Sequence, residues 1–544
     1  MNRNIVTAFL STVGSRLVGL IVTAAVTPLL IHFLGVTIYG RYATIMSVFA
    51  LLTIFMSSGT NTGVKKYIAE ERSMNCWKDH VFGYYFRLAT LLAVLAAIGF
   101  AVAAYTGVVA MVWGAEFEPY FYLLGAMALA VQYREYIRRT LMGLKLEHVS
   151  EPLNVLYRIV FGVVGVSLAA LEFGVPGLIV AQIVASLVAV GVGLAVVRGR
   201  LSFDAIVTTT PDRFPSSDLF NFNHLTIAYV FLLTSLYHID VLMLEAFKTS
   251  ELVGYYKAAL VIVQFLWILP RSVQGVMVQS TSDLWEQNKV ERITDLASRT
   301  TRYVLLLTLL LAIGMAALAS TFVPLYLGSE MRPAVTPLLL LLPGTVAFAV
   351  ARPLLAISHA KGDVKALIAA TWASATLNFA LNLNLIPAYG MVGAAVATTI
   401  GYGSLPLFNM LIARDLGYDP LEDVRIVRIV VTGAVAAVPI YFLPAAIEND
   451  LLALVVVPVV GFVVYALAAV LTGAVDVGEV LDFCSSLPGP LGEKASELAD
   501  AADGGSPIKD QSPEVSDRVQ QILALTGIVL VVSAVALLTG GAGL

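Results

Sequence analysis

Residues 389–397 have the sequence YGMVGAAVA, and residues 173–181, 216 positions earlier, have the similar sequence FGVPGLIVA. Two further pairs of segments match in the same order and at nearly the same offset. The GRY of residues 40–42 corresponds to the GYY of residues 254–256, and the RTLMG of residues 139–143 corresponds to the RPLLA of residues 352–356. Three ordered matches indicate that the chain contains an internal duplication.

The composition shows what kind of unit is duplicated. Of the 544 residues, 58% are hydrophobic and 13% are charged, and the mean hydropathy is +0.85. Soluble domains are about 45–50% apolar and about 25% charged, so a water-soluble fold is excluded. A membrane-spanning helix needs about 20 apolar residues, and fifteen runs approach or exceed that length, at residues 5–33, 42–64, 81–108, 117–137, 153–171, 177–197, 221–246, 252–278, 303–325, 334–357, 365–386, 391–413, 426–446, 451–472 and 519–539.

The predicted fold is an all-α polytopic membrane protein with two six-helix lobes, residues 1–200 and 218–415. Six spans return the chain to the same side, so the lobes are expected to repeat in parallel about a pseudo-twofold axis and to form a V-shaped alternating-access cavity. Residues 426–472 add two helices, and residues 519–541 add a final one. Between them, residues 473–518 carry ten acidic and three basic residues and are expected to form a solvated linker.

The distribution of Lys and Arg predicts the orientation, because basic loops stay on the cytoplasmic side. With the N-terminus inside, the cytoplasmic loops collect most of the basic residues, whereas the opposite loops hold only Arg41, Lys248 and Arg332. An odd number of spans then places the C-terminus outside. Cys76 and Cys484 fall on the cytoplasmic side, and neither a disulfide, a metal site nor a cofactor is expected.

Ionisable side chains inside predicted spans are candidates for a functional site, because they are costly in hydrocarbon. Arg16 lies eleven residues into the first run, about 16 Å along a helix. It is predicted to be a phosphate ligand in the cavity, with a structural pairing role as the alternative. Asp240 and Lys257 lie at similar depth in one hairpin and are expected to form an ion pair, either permanent or opened by cargo.

Two further residues complete the candidate set. His238 shares a helix face with Thr234, and it is predicted either to carry protons or to hydrogen-bond within a helix interface. Arg271 follows Pro270, where a kink would expose a polar niche. It is predicted either to contact the phosphate at the cytoplasmic entrance or to extend to the headgroups.

Several segments together resemble a known family. They are Arg3-Asn4, LGVTIYGRY at residues 34–42, IDVLML at 239–244 followed by VGYYKAA at 253–259, and NLNLIPAYGMVGAA at 382–395. They resemble the polysaccharide flippase branch of the multidrug/oligosaccharidyl-lipid/polysaccharide exporter superfamily, over residues 1 to about 470. The resemblance implies two six-helix lobes that translocate a sugar carried on an isoprenoid phosphate or pyrophosphate. The fifteenth run and the acidic linker depart from the usual twelve or fourteen helices.

The expected function is therefore the flipping of a polyprenyl-phosphate-linked oligosaccharide to the outer leaflet of the cell membrane, by a non-enzymatic, monomeric transporter. Membrane lipids, the glycan carrier and glycan-assembly enzymes are the expected partners, and nucleic acid is not. A polymerase or glycosyltransferase is disfavoured because the predicted outer loops are short, and no ATP-binding glycine-rich loop is present. The alternative is a cation-coupled multidrug antiporter, which is expected to use acidic cavity residues.

Overall fold

The computed structural model describes residues 2–208, 210–211, 214–216, 219, 224–476 and 478–479, and for residues 2–13, 15–17 and 58 it describes the backbone alone. The regular structure of these residues is helical. The helices are α1 (Asn2–Ala69), α2 (Trp77–Tyr105), α3 (Val108–Trp113), α4 (Glu118–Gly143), α5 (Glu147–Ala170), α6 (Gly174–Val197), α7 (Asp204–Val207), α8 (His224–Phe247), α9 (Ser250–Phe265), α10 (Ile268–Glu286), α11 (Val290–Leu327), α12 (Val335–Lys361), α13 (Val364–Asp415), α14 (Ile426–Phe442) and α15 (Asp450–Leu471).

Two of these helices each contain two of the predicted runs. Helix α1 has 68 residues and α13 has 52, longer than one membrane crossing requires. Each is interrupted by one glycine with non-helical dihedral angles, Gly35 with φ 70° and Gly390 with φ 57°. Only glycine adopts these angles readily. The chain therefore kinks between paired spans where separate helices joined by loops were expected.

The all-α polytopic fold is confirmed, but the part of the chain that the structure describes has fewer separate helices of spanning length than the fourteen runs predicted there. Ten described helices are long and apolar enough to cross a membrane, or eleven with the pair α9 and α10, which is bent by 51°. The kinked helices α1 and α13 account for part of the difference. Helix α4 is not among the ten, because five charged residues reduce its hydropathy. The fifteenth run, and most of the acidic linker, lie outside the described residues.

The described chain divides into two compact units. The first contains residues 1–257, 326–331 and 382–394, and the second contains residues 258–325, 332–381 and those from 395 onwards. In the first unit, the fully buried rings of Phe82 and Tyr136 pack at 5.6 Å between α2 and α4. In the second, Trp267, Phe348 and Tyr402 pack within 5.4 Å of one another. The division into two six-helix lobes stays a prediction.

Helices α14 and α15 pack against each other and, with α11, form a separate apolar cluster in the second unit. The opposite faces of this pair are exposed and apolar, as shown by Val427 at 76% and Leu467 at 59% exposure. In a membrane protein such faces are suited to contact with lipid chains.

A close backbone crossing joins α1 to the start of α9 within the first unit. A Cβ atom added to Gly40 would lie 1.7 Å from the carbonyl oxygen of Ser250, and one added to Gly254 would lie 2.3 Å from the carbonyl oxygen of Val36. The two contacts are reciprocal, because 36 and 250, like 40 and 254, differ by 214 positions. The GRY and GYY segments that match in sequence therefore also contact each other, and glycine is required where they cross.

Candidate functional site

The residues predicted from sequence fall into three places. Arg16 belongs to α1, but its side chain lies outside the described residues. Asp240, Lys257 and His238 belong to the hairpin of α8 and α9 in the first unit. Arg271 belongs to α10 in the second unit.

Asp240 is fully buried, and both of its carboxylate oxygens accept hydrogen bonds. Its Oδ1 accepts from the backbone N–H of Val241 at 2.8 Å, and its Oδ2 accepts from the hydroxyl of Tyr256. Lys257 lies within electrostatic range of Asp240, and the predicted ion pair stays a prediction. Sequence reasoning missed Tyr256, although it precedes Lys257 directly in the GYY segment.

His238 also belongs to this cluster. Its Nδ1 lies 3.0 Å from the Oγ of Ser47 on α1, and Lys257 is within electrostatic range of its ring. The contact with Ser47 agrees with the alternative in which His238 hydrogen-bonds in a helix interface. Both alternatives for its role stay predictions.

Arg271 is exposed, and its guanidinium lies 5.6 Å from the centre of the Trp267 ring. The bend predicted at Pro270 lies instead at the break between α9 and α10, before Ile268. Pro270 occupies the first turn of α10, where a missing N–H costs no intrahelical hydrogen bond. The bend therefore lies about one helical turn before the proline, and the polar niche at Pro270 stays a prediction.

A polar cavity that sequence reasoning did not identify lies wholly within the first unit. Its volume is about 370 Å³, and it is lined by Thr53, Met56, Ser57, Asn61, Thr62, Val131, Gln132, Arg134, Glu135, Arg139, Thr226 and Val230. These residues come from α1, α4 and α8. Of the two lining arginines, Arg134 lies within the predicted run 117–137 and Arg139 beyond it, whereas α4 continues to Gly143 and includes both.

At the basic side of the cavity, three arginines surround one carboxylate, and two of them, Arg134 and Arg139, line the cavity. Glu135 Oε1 lies 3.1 Å from an Nη of Arg134, and its Oε2 lies 3.4 Å from Arg138 and 3.9 Å from Arg139. The Arg134 side chain is only 13% exposed. Among the described residues, its Nε and Nη1 have no hydrogen-bond partner. Buried guanidinium N–H groups without a partner are costly, so they are suited to receive an anion.

Aromatic and amide side chains hold the Arg134 guanidinium in position. Its guanidinium carbon lies 3.7 Å from the centre of the Tyr157 ring, a cation–π contact. The Tyr157 hydroxyl donates to Oε1 of Gln182, and Nε2 of Gln182 donates to the Tyr42 hydroxyl at 2.9 Å. This chain of contacts keeps the guanidinium in place before any ligand arrives.

Neutral acceptors lie beside the arginines. Asn61 is 8% exposed and Gln132 is fully buried, and both side chains line the cavity. Nε2 of Gln132 donates to Thr60 Oγ1 at 3.1 Å. Within the described part of the chain, the carbonyl oxygens of Asn61 and Gln132 have no donor. Amide oxygens that lack a donor match the hydroxyl groups of a sugar, and free guanidinium groups match a phosphate.

The described residues contain no group of three or more His, Cys, Asp or Glu side chains placed to hold a metal ion. The lining of the cavity itself offers hydrogen-bond donors, acceptors and charge, which are suited to recognition of an anionic, hydroxyl-rich group.

Two family models match the chain. The model described as polysaccharide biosynthesis protein matches residues 1–279, slightly more than half of the chain. The model described as lipid II flippase MurJ matches residues 221–461. An uncharacterized membrane protein of Methanocaldococcus jannaschii is 24% identical over 251 residues, which are 46% of this chain. The match spans half of the length of that relative.

Solved structures share the fold. A lipid II flippase MurJ in an inward closed conformation superposes with a TM-score of 0.68 at 15% identity, covering 86% of this chain and 98% of the other. An inward-facing multidrug resistance MATE family transporter gives 0.63 at 14% identity, covering 73% and 94%. A transporter from Pyrococcus furiosus, described as having a binding pocket of reverse polarity, gives 0.54 at 15% identity, covering 75% and 95%. At these identities the likeness shows the fold alone.

Three observations agree on the family of this chain. They are the extent of the first family match, the polytopic helical fold, and the resemblance of the short segments quoted above. The chain belongs to the polysaccharide biosynthesis protein family, and its residues 221–461 are similar to the lipid II flippase MurJ family.

Proposed function

We propose that this chain flips a polyprenyl-phosphate- or pyrophosphate-linked oligosaccharide from the cytoplasmic to the outer leaflet of the cell membrane. The observation that carries the proposal is the cavity of the first unit, where free guanidinium N–H groups of Arg134 lie beside free amide oxygens of Asn61 and Gln132. A phosphate and its first sugar present the complementary groups. Membership of a family of polysaccharide biosynthesis proteins and flippases supports the same cargo.

The remaining features take roles within this proposal. Arg134 binds the phosphate, Arg16 and Arg271 stay candidate ligands from the sequence, and Asp240, Lys257 and His238 form a polar cluster in the hairpin of α8 and α9. The apolar faces of α14 and α15 contact the isoprenoid chain, which stays in lipid. The transporter works by alternating access as a monomer, with its N-terminus in the cytoplasm and its C-terminus outside.

A cation-coupled drug antiporter of the same superfamily is the competing function. An organic cation would require an excess of negative charge in the binding cavity. The cavity is lined by Arg134 and Arg139 against one acid, Glu135, so the balance of charge favours an anionic cargo.

Replacing Arg134 with glutamine tests the site. A hydrogen bond to a charged group contributes about 1.5–3 kcal/mol, so we expect transport of a lipid-linked oligosaccharide at limiting concentration to fall by about tenfold to a hundredfold. The measurement is the initial rate of flipping in proteoliposomes with matched protein content.

The matched control is Arg200→Gln, which removes the same charge from an exposed position after α6. It should leave the rate unchanged. Equal rates for the wild type and Arg134→Gln, with both proteins folded, would exclude Arg134 as a cargo ligand.

A further inference from the structure

Glu135 stands out because one carboxylate faces three arginines of the same helix. It precedes Arg138 and Arg139 by three and four positions and follows Arg134 directly, so all four side chains gather at one end of α4. The Glu135 side chain is 20% exposed and lines the cavity beside Arg134 and Arg139. It is therefore the anion that the arginine cluster holds when no other anion is present.

Glu135 contacts the three arginines at unequal distances. Only the contact with Arg134 at 3.1 Å is within ordinary hydrogen-bond distance, and those with Arg138 and Arg139 are 3.4 and 3.9 Å. A carboxylate that satisfied one guanidinium fully would form two parallel hydrogen bonds with it. Glu135 instead balances the charge of the cluster while two nitrogens of Arg134 remain without a partner in the described structure.

Arg138 differs from the other two arginines because it also contacts a second acid. Glu151, on α5, lies 3.9 Å from Arg138, and the Oγ of Ser150 donates to the backbone carbonyl of Arg138 at 3.0 Å. Arg138 is therefore held against α5 independently of Glu135, and it does not line the cavity. If Glu135 withdraws, Arg134 and Arg139 become available to a ligand in the cavity, while Arg138 keeps an acidic partner.

We propose that Glu135 is an internal counter-anion that occupies the arginine cluster in the empty transporter and is displaced by the phosphate of the cargo. The inference rests on the proposed function and adds a selection step to it. Cargo enters by exchange of one anion for another, so a neutral lipid cannot displace Glu135 and is not bound. The carboxylate also supplies a counter-charge to the buried guanidinium groups between transport cycles, because a buried charge without any counter-charge would be costly.

Removing the charge of Glu135 is expected to strengthen anion binding, because the phosphate no longer competes with a resident carboxylate. The probe is a fluorescent short-chain isoprenyl phosphate, titrated into the purified full-length protein in detergent, with the matching isoprenyl alcohol as a neutral probe. We expect Glu135→Gln to bind the phosphate at least about tenfold more tightly than the wild type, a difference of about 1.4 kcal/mol. Binding of the alcohol should stay equally weak in both proteins.

The control is Glu71→Gln, which removes one negative charge from an exposed loop and should leave the affinity for the phosphate unchanged. Glu135→Asp keeps the charge but shortens the side chain, so it should bind the phosphate more tightly than the wild type by a smaller factor. This variant serves as the test if Glu135→Gln does not fold.

The outcomes separate this inference from the proposed function. The wild type could bind the phosphate in preference to the alcohol while neither variant binds it more tightly. In that case Glu135 has only a structural role, and the proposed exchange of anions is wrong. If the wild type does not distinguish the phosphate from the alcohol, the cavity is not an anion site and the proposed function itself loses its support.

Discussion

Arg302→Met is expected to destabilise the protein by about 3 kcal/mol, at the lower end of the cost of breaking a buried ion pair. The Arg302 side chain is fully buried in α11 and is paired with two acids. Asp423, between α13 and α14, lies 2.9 Å away, and Glu479, at the beginning of the acidic segment, is the second partner. Methionine keeps much of the side-chain volume but leaves Glu479 without this cation and Asp423 with Arg425 alone, 2.9 Å away.

The lower end of the range is expected because the two acids keep some contact with water, with 33% and 20% of their side chains exposed. The measurement is thermal unfolding of the purified protein in detergent. Arg299→Met is the control on the same helix. Arg299 pairs with Asp295 at 2.6 Å, but both side chains are more than half exposed, so its loss should cost less than about 1 kcal/mol. Equal destabilisation by the two substitutions would contradict the interpretation that Arg302 forms stabilising buried ion pairs with Asp423 and Glu479.

Gly40→Ala is expected to destabilise the protein by about 1–3 kcal/mol or more, the usual cost of overpacking. The added methyl group would overlap the backbone oxygen of Ser250 at 1.7 Å, and backbone cannot move aside as a flexible side chain can. Small residues permit such close approach of helices in membranes. The crossing of α1 and α9 must therefore separate to accept alanine.

Gly99→Ala is the matched control for this substitution. Gly99 lies in α2, and a Cβ atom added there would meet no atom within 4 Å. Alanine favours helix over glycine by about 1 kcal/mol, so this variant should be as stable as the wild type or more stable. If thermal unfolding shows no difference between Gly40→Ala and Gly99→Ala, the close crossing does not exist in the folded protein.

The helical runs were predictable from sequence because apolar stretches of about 20 residues have few other interpretations. What joins two neighbouring runs was less predictable. The segments around Gly35 and Gly390 were expected to be loops. They are short and apolar, and in each of them a long helix is kinked at a single glycine. Hydropathy locates membrane-spanning segments, but it does not show whether two of them are joined by a kink within one helix or by a loop between two helices.

The cavity was missed for a related reason. Hydropathy ends the fourth run at residue 137, so Arg134 lies in its last turn and Arg138 and Arg139 lie beyond it, and all three were counted as charges on the cytoplasmic side. The spacing of Glu135 from Arg138 and Arg139, three and four positions, is typical of a helix that continues and was available in the sequence. The cation–π contact of Arg134 with Tyr157 joins residues far apart in sequence, so spacing alone could not predict it.

Flipping of a lipid-linked oligosaccharide by the wild-type protein tests the central claim most directly. The protein is reconstituted in liposomes containing a fluorescent polyprenyl-phosphate oligosaccharide, and loss of the signal to an impermeant quencher reports the rate at which the headgroup crosses. A cavity of guanidinium donors and amide acceptors predicts flipping well above that of protein-free liposomes, together with no cation-driven efflux of organic dyes. Dye efflux without oligosaccharide flipping would contradict the account and identify the protein as a drug antiporter.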